Sequence, residues 1–389
     1  MERLNVCICG GGQTGHLYAG VLAELDYVHV SLLTRRAGEL RLQLPRAGIR
    51  VKLPGGEVLH GRPDVVFDEP SHMVPTADVI ILALPGHIRP TALAAIAPFI
   101  ARDRPVHVGA IPGNAGFDWL AAEALPRNVV IWGMRDAPYT AYDLVPGVSV
   151  AAGGGPRHRV FACHEREGNV RAEAVSNILA ALFGATFTRA NVFLELTLAF
   201  GNPVLHIPAL YALMGPSSGN PSGRFAHPLG WWRDLTPTGA GLIKACADEQ
   251  YTLIEAVRAR YGWRLASLRP LEDDLLDNYG GYISDSSSLL TMLRTNSAFK
   301  GLVPLKRTRD GRQFEIDLTH RIFFEDTHFG LNLLVTLARY LKIDVPTLAA
   351  VEAWSARLTD PQFGMSTDYL PADPFQGYSE KSAIAAALN

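Results

Sequence analysis

Residues 4–9, LNVCIC, form a short apolar run cut off by Gly10-Gly11-Gly12, and from His16 the segment HLYAGVLAEL repeats apolar residues at helical spacing. This pattern predicts a strand, a tight glycine turn and a helix, with a second strand at VHVSLL (28–33). ADVIILALPG (77–86) is a continuous apolar run ended by Pro-Gly, and PVHVGAIPGNAGF (105–117) is another run entering a Gly/Pro-rich loop. Runs apolar on both sides, alternating with helical periods, are what strands of a covered parallel sheet require. NVVIWGM (128–134) and VSVAAGG (148–154) are expected to continue the same sheet.

From about residue 188 the strand-and-turn rhythm gives way to helical spacing, first in FLELTLAFGNPVLHIPALYAL (193–213). WWRDLTPTGAGLIKACADEQYTLIEAVRARYG (231–262) has a helix start near Thr236-Pro237. FGLNLLVTLARYLKI (329–343) reads as a further helix that ends before Pro346, with Asp326 and Thr327 where its N-cap belongs. The expected fold is α/β: a Rossmann-type dinucleotide-binding domain over 1–187 and a mainly α-helical domain over 188–389.

Composition narrows the class. Among 389 residues, 48% are hydrophobic and 19% charged, which suffices for two full cores, and the net charge is −2 with no long run of one sign. Bulk electrostatics therefore offer nothing to a nucleic acid or a membrane surface, and small-molecule substrates are expected. Cys7, Cys9, Cys163 and Cys246 form no metal-type cluster, as in a reduced cytoplasmic protein. No secretory leader pattern opens the chain, and no uninterrupted apolar run reaches the ~18 residues of a spanning helix.

Gly10, Gly12 and Gly15 occupy the three positions of G-x-G-x-x-G between the first strand and helix. The first permits the turn, the second admits a pyrophosphate to the backbone, and the third lets helix and strand approach. A carboxylate on the ribose 2′-hydroxyl is expected about twenty residues later. The chain instead has Thr34, Arg35 and Arg36, a hydroxyl and two guanidinium groups suited to a 2′-phosphate. NADP(H) is expected in preference to NAD(H), which stays open.

In the second half, His206 follows Asn202 by four residues, so a continuous helix puts both on one face, although Pro203 and Pro208 interrupt the backbone donors. Arg321, Glu325 and Asp326 surround Ile322-Phe323-Phe324 in DLTHRIFFEDTHFG (317–330). A histidine in an apolar helix and a charged helix entry fit packing as well as catalysis, and local pattern does not decide between them.

Together, CICGGGQTGH, ADVIILALP, GAIPGNAGF, NPVLHIP, TNSAFKGLVPL (295–305) and LTHRIFFEDTHFGLNLLVTLARYLKIDVPTL resemble the octopine/nopaline type opine dehydrogenases over nearly the whole chain. The resemblance implies reductive condensation of an amino acid with an α-keto acid, through an imine reduced by NAD(P)H, in a monomer or homodimer. It implies His206 as acid/base, Asp326 as its carboxylate partner, Asn202 as a neighbouring polar residue, and Arg321 on a substrate carboxylate or behind the dyad. Asn114 is implied to border the substrate, and Asp136 lies near the position where octopine-type enzymes meet a guanidinium. One departure is Tyr142, in a run where the family commonly carries arginine. Two alternatives stay open: a ketopantoate-reductase-like or glycerol-phosphate-dehydrogenase-like enzyme, and a non-catalytic NADP-sensing regulator. The first would need a lysine base, and Lys244, Lys300 and Lys306 accompany no matching signature.

Overall fold

The computed structural model describes residues 3–220 and 222–378, in two compact units: the chain up to Thr197 together with the segment from Phe375, and Leu198–Pro374. The expected domain division at 187/188 lies ten residues earlier, and residues 379–389 fall outside the described residues.

The first unit contains strands β1 (Leu4–Cys9), β2 (Val28–Leu33), β3 (Ile49–Lys52), β4 (Val58–Gly61), β5 (Val65–Phe67) and β6 (Val79–Leu82). It continues with β7 (Val106–Ala110), β8 (Val129–Met134), β9 (Ala141–Val145), β10 (Ser149–Ala152), β11 (Val160–Cys163) and β12 (Thr188–Arg189). Eight of them form one sheet in the order β12-β11-β8-β7-β6-β1-β2-β5. Its neighbours run parallel except β8 and β11. Val6, Ile8, Val30, Val79, Ile81, Val108 and Trp132 are buried along it, as continuous apolar runs demand. The order reverses between β1 and β6, so the loops after these two strands flank the switch point where such sheets gather ligands.

The expectation that VSVAAGG continues this sheet is corrected. β10 pairs with β3 and β9 in a separate sheet ordered β4-β3-β10-β9. Its burial alternates along the strand, whereas β6 and β8 are buried at every position. That alternation marks a strand with one covered face.

Five helices belong to the first unit up to the boundary region: α1 (Gln13–Leu22), α2 (Ala37–Gln43), α3 (Arg89–Ile96), α4 (Phe117–Ala124) and α5 (Gly168–Phe183). α6 (Leu194–Leu198) lies at the boundary. The boundary falls late because Phe193 meets Phe117 at 6.4 Å between ring centroids and Thr197 Oγ1 accepts the Gly116 N–H at 3.1 Å. The returning C-terminal segment buries Phe375 and places the Tyr378 hydroxyl on Asp118.

The second unit holds α7 (Asn202–Met214), α8 (Pro237–Tyr261), α9 (Leu271–Tyr279), α10 (Leu289–Thr295), α11 (Asn332–Leu341) and α12 (Pro346–Ala356). A small sheet, β13 (Arg224–Phe225), β14 (Leu305–Arg307) and β15 (Phe314–Ile316), accompanies them. α8 starts where the sequence places it, with the Thr236 hydroxyl accepting the Gly239 N–H at 3.0 Å. By length and composition Leu194–Met214 could cross a membrane; half of that window is buried inside the protein, and the helix is interrupted at residues 199–201.

Candidate active site

In the first unit the three glycines behave as their spacing requires. Gly10 has φ +132°, and a Cβ there would stand 2.5 Å from the Ala83 carbonyl oxygen. At Gly15 it would be 1.7 Å from the Gly10 carbonyl, so no side chain fits between turn and helix. At Gly12 it would meet nothing within 4 Å, leaving an open approach to the start of α1. That cradle, with the positive end of α1 beneath it, suits a pyrophosphate. His16, which the sequence reading passed over, fixes the turn: Nδ1 bonds the Gly12 carbonyl at 2.9 Å, and Nε2 accepts the Gly147 N–H at 2.8 Å. With Nε2 accepting, Nδ1 is the donor, and burial lowers the pKa of the ring so that it stays neutral.

At the end of β2, Thr34 is buried and its hydroxyl accepts the Arg36 N–H at 3.3 Å. Arg35 and Arg36 are both exposed. Arg36 is already held by Glu39, at 2.8 Å from Nε and 2.6 Å from Nη2. A 2′-phosphate would meet Arg35 directly and would compete with Glu39 for Arg36.

The loops after β6 and β7 are tied together by Arg89, a buried guanidinium absent from the sequence-based candidates. It donates to the carbonyls of Leu84 (3.3 Å), Pro112 (2.7 Å) and Asn114 (2.8 Å), and to Asn114 Oδ1 (3.2 Å). Asn114 is therefore half-buried and held by its neighbour. Asp136 forms a 2.7 Å ion pair with buried Arg135, so its carboxylate already has a guanidinium. Tyr142 lies on β9, in the four-stranded sheet.

In the second unit, α7 begins at Asn202, and Pro203 falls in its first turn, where no backbone donor is needed. Asn202 is exposed, and His206 lies one turn further on. The stretch DLTHRIFFEDTHFG (317–330) differs from expectation: Phe323–Leu331 winds as a π-helix that continues into α11. Asp326 and Thr327 are inside this continuous helix, so the N-cap expectation is corrected. Gly330 lets the π segment approach α7, because a Cβ there would be 2.3 Å from Pro203 Cγ. Four residues from that contact on one element and three on the other, Asp326 Oδ2 and His206 Nδ1 are 3.0 Å apart.

Asp326 is 1% exposed and His206 14%. Burial pushes the Asp326 carboxyl up from its ordinary range, while the His206 hydrogen bond and charge pull it down. When the carboxylate is ionised it can only accept, so Nδ1 carries a hydrogen, and an unprotonated ring then has its lone pair on Nε2. Arg321 is half exposed and paired with Glu325 four residues on, and its charge reaches Asp326. His320 is exposed close by, while His328 is buried with Nε2 3.1 Å from the Thr359 carbonyl. Lys244 is bound to Asp248 and Glu272, and Lys300 and Lys306 are exposed. Among the described residues no group of histidine, cysteine and carboxylate side chains could hold a metal ion. Trp231 and Trp232, unnoticed in sequence, stack beside His206.

Comparison with known proteins agrees with both halves. Residues 189–359 match the family described as NAD/NADP octopine/nopaline dehydrogenase, alpha-helical domain, and residues 6–135 match ketopantoate reductase PanE/ApbA. The chain is 38% identical over 374 residues to the uncharacterized protein y4xO of Sinorhizobium fredii (strain NBRC 101917 / NGR234), covering 95% of this chain and 99% of that one. It is 28% identical over 375 residues to an opine dehydrogenase of Haliotis discus hannai, covering 91% and 89%. A solved octopine dehydrogenase in complex with NADH and agmatine shares the fold at a TM-score of 0.79, with 21% identity over 98% of each chain. A glycine-cradled parallel sheet followed by a helical unit defines a two-unit dehydrogenase. The chain belongs to the octopine/nopaline type opine dehydrogenase family.

Proposed function

We propose that the protein is an opine dehydrogenase that joins the amino group of an amino acid to an α-keto acid and reduces the resulting imine. The observation that carries this reading is the His206–Asp326 pair, assembled from segments 120 residues apart. The first unit would hold a nicotinamide dinucleotide, with Gly10, Gly12 and Gly15 at the pyrophosphate and Thr34, Arg35 and Arg36 at the ribose. Its reduced form supplies the hydride. The two exposed guanidiniums favour NADP(H), and the Arg36–Glu39 pair works against that preference.

The chemistry asked of the chain is proton transfer. An amino acid arrives as an ammonium, and Nε2 of His206 can remove a proton to free the nucleophilic lone pair. The amine then bonds to the keto carbon. Departure of the carbinolamine hydroxyl as water needs a proton, which the same imidazolium returns. Asp326 fixes the tautomer and stabilises the imidazolium between these steps. Arg321 offers a planar fork for the keto acid's carboxylate once it turns from Glu325. Asn202, on the same face of α7, is assigned to orienting the substrate, and Asn114 to bordering it. Asp136 is already paired with Arg135, which speaks against a basic amino acid as the substrate.

The test is a matrix of α-keto acids against amino acids, following NADPH and NADH oxidation and identifying the N-(carboxyalkyl)amino acid by mass. Oxidation that needs both partners, and that falls sharply in His206→Ala with dinucleotide affinity kept, is expected. Oxidation by keto acid alone, or unchanged turnover in His206→Ala, would overturn the reading.

A further inference from the structure

One hydrogen bond does not fix an imidazole. The single Nδ1–Asp326 contact leaves the ring able to swing about its Cβ–Cγ bond and off the carboxylate, and α7 supplies little stiffness because Pro208 gives Val204 no helical donor. A face contact removes the remaining freedom. The Trp231 and His206 ring centroids are 4.4 Å apart with planes at 27°, and Trp232 follows at 5.8 Å and 28°.

The indole is itself firmly placed. Trp231 is 6% exposed, and its backbone N–H donates to the Gly301 carbonyl at 3.2 Å. Just before it, Gly230 bridges Leu302, and the Val303 N–H donates to the Leu229 carbonyl at 2.8 Å. The Asp234 carboxylate accepts the Gly230 N–H at 2.7 Å. Trp232 meets Phe299 at 5.8 Å, and Phe299 meets Tyr279 at 5.0 Å. An aromatic face is also electron-rich, which favours the imidazolium formed when the ring takes a proton.

We propose that Trp231 is a positioning residue, whose indole face holds the plane of His206 so that Nδ1 stays on Asp326 and Nε2 stays presented to substrate. The proposal rests on the acid–base reading of His206, and its test separates the two. Trp231→Met and Trp231→Leu remove the face, while Trp231→Phe keeps an aromatic ring; two non-aromatic variants guard against failure of either to fold. ¹⁵N–¹H spectra of the histidine rings in the resting protein report the His206 tautomer without any turnover. Expected are a mixture of tautomers in the Met and Leu variants and a kcat lower by about ten- to a hundredfold. Dinucleotide affinity stays unchanged, and Trp231→Phe restores the single tautomer and most of the kcat. A single tautomer with unchanged kcat in both non-aromatic variants, or a Phe variant as impaired as Met, would overturn the proposal. If the tautomers mix while His206→Ala turns over normally, the stack still orients the ring and the functional reading falls.

Discussion

Replacing Asp326 by Asn removes one charge and almost no volume, so it isolates what the carboxylate does. The pair is 3.0 Å from nitrogen to oxygen and Asp326 is 1% exposed, which places the charge centres of an imidazolium and the carboxylate about 4 Å apart. At the effective dielectric of such sites this is about 4 kcal/mol of attraction. At 1.36 kcal/mol per decade, losing it from the protonated state costs about three decades of rate. The amide can also donate to Nδ1, which moves the ring hydrogen to Nε2 and removes the base. Initial rates of NADPH or NADH oxidation with the best substrate pair should therefore show kcat/KM down about a thousandfold. Dinucleotide affinity, read by fluorescence, should be unchanged because the glycine cradle belongs to the first unit. A double variant with His206→Ala should be hardly worse than either single one. A loss below about tenfold, or a parallel loss of dinucleotide affinity, would refute the assignment.

Arg35→Ala with Arg36→Ala should weaken NADPH far more than NADH in equilibrium binding, and equal losses would remove the 2′-phosphate argument. Arg321→Ala should raise the KM for the keto acid more than it lowers kcat, and an unchanged KM would place its fork elsewhere. Asp118 gives a pH prediction: burial raises its carboxyl to about 7 from the ordinary 3.8, against the opposing hydrogen bond from Tyr378. The folded chain then keeps a proton that the unfolded chain loses, so this group's contribution to stability falls as pH rises from about 4 through about 7. Asp118→Asn, which copies the protonated form, should be more stable than the unmodified protein at pH 8, by up to about 4 kcal/mol, and should melt at the same temperature as it near pH 4. A lower melting temperature at pH 8 would show the carboxylate to be ionised and satisfied.

The parts of the fold visible in the sequence are those in which neighbours in the chain are neighbours in space. Gly10, Gly12 and Gly15 act on one turn, and the buried strands show as unbroken apolar runs. His206 and Asp326 became a pair through resemblance, because no periodicity links positions 120 residues apart. The π-winding at Asp326 was hidden, since Phe323–Leu331 has the composition of an ordinary helix and is fitted to Pro203 through Gly330. Arg89 carries no signal in the sequence, and only the folded loops bring three carbonyls to it. Trp231 carried no signal, because it lies in a turn ahead of α8 while its stacking partner His206 is on α7. The branching of β10 into the smaller sheet was legible in principle, in the alternation SVAA, and was masked by the small size of its residues.

The return of the chain at Phe375 makes the first unit discontinuous, with the second inserted between its two pieces. A fragment ending at Thr197 would keep every strand of the large sheet yet lose Phe375 and Tyr378, uncovering the Asp118 carboxyl. A single proteolytic cut between the units would release neither one, whereas paired cuts near 198 and 374 would leave the first as two associated chains. Any minimal dinucleotide-binding version of this protein must therefore be spliced, joining the stretch before Leu198 to the one after Pro374, rather than simply shortened.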